Sequence, residues 1–199
     1  MTRIDRIAGR GLPLRGHDID TDRIMPARFL RAITFDGIEQ HLFADDRNAR
    51  AERGQMHPFD DPAYRGARVL LAQTHFGCGS SREHAPQAIL RWGIRAVVAE
   101  SFAEIFAGNS LAIGLVCVDA APDDLERLFH HVESDPGAEV EIDVSRRRAT
   151  CGNLTMPVRL PDATREALLT GDWDVTGQLL DHRDAIARTA ERLPYINGF

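Results

Sequence analysis

Three short apolar runs constrain this chain more than any other feature. They are 68–73 (RVLLAQ), 96–99 (AVVA) and 114–118 (GLVCV). Each is too short for a helix and too uniformly apolar for a strand with one wet face. Such runs fit strands buried on both sides. Between them lie segments of helical length, at 82–92 and 102–110. Strands alternating with helices predict parallel α/β organisation. Outside this core the spacing predicts a short apolar element at 11–14, a helix at 122–133 opened by Pro122, and helices at 162–169 and 175–192. Segments 139–144 and 155–160 read as an antiparallel pair. Residues 44–66, charged and carrying Pro58, Pro62 and Gly66, read as a long loop. The expected architecture is a mixed sheet flanked by helices with a β-rich addition. It forms one domain over 1–199, with C-terminal helices from about 161 packed on it.

Bulk properties narrow the function classes. The chain has 199 residues and a formal net charge of −6. That balance opposes a dedicated nucleic-acid binder, whose affinity depends on neutralising phosphates. No run approaches the roughly 20 apolar residues of a membrane span, and the opening residues lack the apolar stretch of a signal peptide. The cytoplasm is the expected location. Cys78, Cys117 and Cys151 are odd in number and widely spaced. They suit neither a disulfide framework nor a self-contained metal or iron–sulfur site, which needs about four clustered ligands.

The chemistry concentrates at 77–84, GCGSSREH, between a strand and a helix. Gly77 and Gly79 permit a tight turn. Ser80 and Glu83 fit the S-x-x-E capping box, which would make Ser80 the helix N-cap and put Arg82 in the first turn. A helix start favours anions, and the planar fork of Arg82 suits a carboxylate. Taken alone, a capping box marks a helix start and nothing more. Competing motifs fail: GCGSSR lacks the third glycine of G-x-G-x-x-G, and neither a P-loop nor G-x-S-x-G is present. Asp18, Asp20 and Asp22 imitate the opening of a calcium loop. Arg23 stands where that loop needs glycine, and Phe29 where it needs glutamate. The three carboxylates are either turn and capping residues or a brace, Asp20–Thr21–Asp22, for the glycine–serine turn.

GCGSSREHAPQAI closely resembles the signature of the swivelling domain of the aconitase superfamily. The stretch HDIDTDRIMPARFL at 17–30, residues 37–47, and SFAEIF with Asn109–Ser110 resemble its further motifs. A free-standing chain of this size is similar to the small subunits of the isopropylmalate-type dehydratases. The resemblance implies an aconitase-type swivelling β/β/α domain, inactive without a large subunit that carries a [4Fe–4S] cluster. It implies a small dicarboxylate hydroxy acid as substrate, isomerised by dehydration and rehydration. By motif position Ser80 matches the catalytic base, and Ser81 and Arg82 match substrate-carboxylate contacts. Specificity is expected in the following loop, with Ile24, Met25, Phe29, Leu30 and Ile33 as an apolar wall for a branched substrate. A citramalate, dimethylmalate or homoaconitate dehydratase, or a non-catalytic anion-binding module, stays open at this point.

Overall fold

The computed structural model describes residues 2–31 and 34–196. In chain order the elements begin with β1 (Arg6–Pro13), α1 (Thr21–Ile24), α2 (Ala44–Glu52), β2 (Val69–Leu71) and α3 (His84–Trp92). Next come β3 (Ala96–Ala99), α4 (Glu104–Leu111), β4 (Val116–Asp119) and α5 (Pro122–Ser134). The chain ends with β5 (Glu139–Asp143), β6 (Arg148–Cys151), β7 (Leu154–Pro157), α6 (Asp162–Thr170), α7 (Val175–Asp181) and α8 (Arg183–Glu191). The strands form one mixed sheet in the order β4-β3-β2-β1-β5-β6-β7. β1 to β4 run parallel, with Leu12 beside Leu70 and Leu70 beside Val97. β5 is antiparallel to β1, and β5, β6 and β7 form a meander.

Alternation along each parallel strand builds two cores. Val69, Leu71, Ala96 and Val98 face one way, onto Leu125, Leu128, Phe129 and Val132 of α5. Leu70, Val97 and Ala99 face the other way, onto Ile89 of α3 and Phe106 of α4. The α5 residues recur at i, i+3, i+4 and i+7, one helical stripe, behind Pro122 and the acidic first turn of Asp123 and Asp124. Each large side chain taken out of water there contributes about 1.5–3 kcal/mol. The path explains the layering. Successive steps outward from β1 to β4 are right-handed crossovers, so α3 and α4 share a face. α5 crosses the opposite face on the way back to β5. Past β7, Arg159 and Asp119 exchange two backbone hydrogen bonds of 2.8 Å, so the chain after one sheet edge meets the end of the other.

Four expectations are corrected. Residues 44–66 hold α2 and a 3-10 turn at Pro62–Tyr64 rather than one loop. α2 buries no residue, so it has no apolar period to read. Ion pairs from Arg23 to Asp46, Arg28 to Asp45 and Arg47 to Asp60 fasten this region. The antiparallel pair is a three-stranded meander: β5 pairs with β6, a short strand whose inward residues are only Ala149 and Cys151. The strand expected at 11–14 begins at Arg6, with charged residues facing out. The helix expected over 175–192 breaks at His182 into α7 and α8. α6 sends Leu168 into the core, and the Trp173 indole N–H donates to the Thr2 carbonyl at 2.8 Å. α7 and α8 bury no residue and expose Val175, Leu179, Leu180 and Ile186.

Candidate active site

Parallel strands leave their carboxyl ends on one side of a sheet, and ligands of α/β proteins bind there. Here the loops after β1, β2 and β3 interlock at that end. Asp20 and Cys78 form a parallel bridge, as do Phe76 and Phe102. Thr21 N–H donates to the Cys78 carbonyl at 2.8 Å, and Gly77 N–H to the Ile19 carbonyl at 2.8 Å. On the other flank Phe76 N–H donates to Ser101 O, and Ala103 N–H to Phe76 O, both at 3.0 Å. The glycine–serine segment is therefore clamped from both sides like a short added strand.

Gly77 has φ +78°, and a Cβ there would stand 2.2 Å from Cγ of Phe106. Gly79, at φ +92°, passes over Asp20 and Thr21, whose side chains would lie 3.4 Å from a Cβ. Both glycines are required by left-handed backbone, and Gly77 by space as well. The thiol between them is not activated. Burial first, then the charges of Asp20 and Asp18, push Cys78 up, which leaves a neutral turn residue.

Ser80 is not the helix N-cap. α3 begins at His84, with Glu83 in the capping position and no side-chain cap bond. Pro86 accounts for the shift. A helix starting at Ser81 would hold Pro86 at its sixth residue, where the ring clashes and an N–H is missing. Starting at His84 puts Pro86 third, where the N–H has no intrahelical partner anyway. Ser80, Ser81 and Arg82 are thus irregular backbone, with both serines exposed and Arg82 half-buried.

The brace residues lie against this segment. Thr21, itself buried, donates its hydroxyl to the Ser80 carbonyl at 2.9 Å. Asp20 caps α1 by accepting from Arg23 N–H at 2.7 Å. Asp22 takes both terminal nitrogens of Arg82, Nη2 at 3.0 Å. A guanidinium has five N–H donors, so three remain for a ligand. Thr21, His75, Gly77, Gly79, Ser80 and Arg82 line a cleft of about 270 Å³, closed on the far side by 103–106 and Asn109 of the α4 region.

The expected apolar wall divides. Ile24 and Met25 are fully buried in the core and anchor their loop instead of facing a ligand. Phe29 and Leu30 are half-buried, and Ile33 lies outside the described residues. The Phe29 ring stacks on His41 at 3.9 Å and carries the Arg28 guanidinium at 4.5 Å, while Asp45 holds that guanidinium in a fork.

Two cleft features carry no site role in the sequence pattern alone. His75 hydrogen-bonds Asp18 through Nδ1 at 3.0 Å, and both residues sit in left-handed backbone at φ +56° and +50°. Ser101 Oγ accepts the His75 N–H at 2.9 Å and shares a hydrogen bond with Thr74 at 3.1 Å. Glu104 and Ile105 also face the cleft. The rule of strand carboxyl ends, applied to the loop after 96–99, would have pointed to them.

No group of three or more His, Cys, Asp or Glu side chains that could hold a metal ion occurs among the described residues. Cys78 lies in the turn, Cys117 on β4 and Cys151 on β6. Burial pushes the Cys117 thiol up to about 12 and the Cys151 thiol up as well. These residues do not fit an iron–sulfur cluster, which needs converging thiolates.

Fold and cleft together place an exposed serine and a half-buried arginine side by side at the carboxyl ends of the parallel strands. The aconitase C-terminal domain family matches residues 1–123, and the chain belongs to it. Within it the chain belongs with the 3-isopropylmalate dehydratase small subunits. The relative of that name from Synechocystis is 50% identical over 197 residues, 99% of this chain and 97% of its own. That from Thermus thermophilus is 51% identical over 189 residues, 95% of this chain and 94% of its own. A crystal structure of 3-isopropylmalate dehydratase from Methanocaldococcus jannaschii superposes with a TM-score of 0.68 at 29% identity, covering 92% of this chain and 99% of that one. No helix among the described residues is long and apolar enough to cross a membrane.

Proposed function

We propose that this chain is the small subunit of a 3-isopropylmalate dehydratase, a hydro-lyase of leucine biosynthesis. The reaction removes water from 2-isopropylmalate to give 2-isopropylmaleate, then returns it to the neighbouring carbon to give 3-isopropylmalate. The supporting observation is the exposed Ser80 beside Arg82 in a cleft clamped by the loops after β1 and β3. Ser80 takes the carbon-bound proton. A serine hydroxyl is a poor base, so its alkoxide needs the positive Arg82 and nearby N–H donors. Arg82 and Ser81 hold a substrate carboxylate, which uses the donors that Asp22 leaves free. Asp20, Thr21 and Asp22 keep the turn and the guanidinium in position. Phe29 and Leu30 supply apolar surface for the isopropyl group.

A [4Fe–4S] cluster belongs to the large subunit in this reading, and supplies the Lewis acidity for the leaving hydroxyl. Residues 1–199 act as one swivelling domain with the C-terminal helices attached, in the cytoplasm. The test is reconstitution with the large subunit, followed by assay on 2-isopropylmalate, citramalate, dimethylmalate and homoaconitate. Turnover of isopropylmalate by the pair, and by neither chain alone, is expected. Turnover of another acid in its place sinks this reading.

A further inference from the structure

An alkoxide at Ser80 requires that its hydroxyl proton first goes to an acceptor. Two side chains that line the cleft can accept a proton, His75 and Glu104. Asp22 is nearby but holds Arg82 in a fork. Glu104 also lines a second hollow outside the cleft, and a carboxylate is a weaker base than an imidazole. His75 is the better equipped of the two. Asp18 holds its Nδ1 at 3.0 Å. An ionised carboxylate only accepts, so Nδ1 carries the hydrogen of the neutral ring and Nε2 keeps a lone pair. A carboxylate that fixes the tautomer of a histidine in this way prepares it to take a serine proton.

An exposed His–Asp pair is ordinarily worth little and marks nothing. This pair is held differently. His75 and Asp18 both sit in left-handed backbone, at φ +56° and +50°. That conformation is uncommon away from glycine and concentrates at functional sites. The loops after β1, β2 and β3 all contribute to holding it. His75 N–H donates to Ser101 Oγ at 2.9 Å, and Asp18 N–H to the Thr74 carbonyl at 3.1 Å. Both side chains are exposed, so solvent reaches the pair.

We propose that His75, oriented by Asp18, accepts the Ser80 proton through a water in the cleft of about 270 Å³ that both residues line. The inference rests on the small-subunit reading above. The Ser80 O–H bond breaks and an Nε2–H bond forms, leaving an alkoxide and an imidazolium paired with Asp18. The alkoxide takes the carbon-bound proton of the substrate. The C–H electron pair becomes the double bond, and the hydroxyl leaves with the C–O pair. On rehydration hydroxide adds to one carbon, Ser80 returns its proton to the other, and the alkoxide is restored. Asp18 acts only through His75, as its positioning residue.

The test uses the full chain for spectroscopy and the reconstituted pair for kinetics. Nitrogen NMR of the small subunit should find the hydrogen of the neutral His75 ring on Nδ1, and on Nε2 in Asp18→Asn. His75→Asn suits left-handed backbone but cannot carry a proton. It should lower kcat about 10²-fold with KM changed less than about threefold. Its melting temperature should stay within about 2 °C of the unaltered chain. Asp18→Asn should lower kcat about tenfold, through the wrong tautomer. Free imidazole should restore about tenfold of the activity lost in His75→Gly, and none in Ser80→Ala. A neutral ring with its hydrogen on Nε2 in the unaltered chain overturns the inference. So does an unaltered kcat in His75→Asn, a rise in KM alone, or a failure of imidazole to restore turnover. A larger loss in Glu104→Gln than in His75→Asn assigns the proton to the other acceptor and overturns it too. If the pair turns over a different hydroxy acid, the substrate reading falls, and the His75 variants decide this inference on that acid. If the unaltered pair is inactive on every acid, both fall.

Discussion

β1–β4 and β5–β7 belong to one sheet but treat their strand ends differently. Parallel neighbours need long crossovers, so the loops after β1, β2 and β3 collect at one end with room to carry side chains. There the chain holds Asp18 and His75 in left-handed backbone and packs three loops by main-chain hydrogen bonds. Antiparallel neighbours close by tight turns. The β5–β6 turn is tied by one carboxylate: Asp143 accepts from the Ser145 hydroxyl at 2.7 Å and Arg146 N–H at 2.8 Å. Strain and hydrogen bonding occur in both halves. In the parallel half they position exposed groups that can meet a ligand, and in the antiparallel half they close a turn.

The sharpest way to break this contrast is a pair of serine variants. Ser80→Ala should cut turnover of the reconstituted enzyme by about 10²–10⁴-fold. It should leave thermal stability unchanged, because the residue is exposed. Ser145→Ala removes a donor from a buried carboxylate and should cost about 1–2 kcal/mol of stability, with kcat unaltered. Equal loss of activity in both would erase the division of labour.

Glycine variants come next in size. Gly77→Ala combines left-handed strain with a Cβ driven into the Phe106 ring, together about 2–5 kcal/mol. Gly152→Ala in the β6–β7 turn also sits at positive φ, +57°, but its Cβ would press on the His131 ring, nearest at Nε2, 2.8 Å away. That atom is the far end of a side chain that can rotate away. A cost of about 1–2 kcal/mol is expected there. Urea unfolding of the two variants measures the difference, and near-equal costs would mean that the Phe106 contact relaxes freely.

Legibility in the sequence divides along the same line. β3 was readable to the residue, because four consecutive apolar residues between two helices have few other uses. The glycine–serine turn was readable as a place, but not as a conformation. The capping box there competes with Pro86, and the penalty for a proline deep in a helix outweighs a cap of about 1 kcal/mol. β6 was invisible because its outward residues are Arg148 and Thr150, so it looks like a turn. α2 was invisible because ion pairs rather than apolar burial hold it. Ile24 and Met25 were placed in a substrate wall because apolar residues near a site carry no mark of which way they face. Their zero exposure settles that.

His57 was unmarked as well, and it offers the subtlest test. It lies buried against the rings of Phe43 and Phe59, which also touch each other, in the segment that joins β1 to β2. Phe59 N–H donates to its Nδ1 at 3.3 Å, so the proton of the neutral ring is on Nε2, which is buried with no hydrogen-bond partner among the described residues. Burial, with the nearby charge of Arg50, lowers its pKa to about 4, against the weaker opposite pull of Asp46 and Asp60. The unfolded chain then binds this proton more readily than the folded one. The stabilisation is complete above about pH 6.5, fades as pH falls, and is gone below about pH 4, a loss of about 3 kcal/mol. Asp143 in the antiparallel half behaves differently. Burial pushes it up, but the Arg146 N–H, the Ser145 hydroxyl and the charges of Arg146 and Arg6 outweigh that and hold it low. Its contribution persists until pH falls below the ordinary carboxylate range. Acid should therefore weaken the packing behind the parallel half first. Urea midpoints between pH 7 and 4 should fall in the unaltered chain and stay flatter in His57→Phe. If the slope survives that substitution, His57 is not its source, and the halves do not differ in this respect.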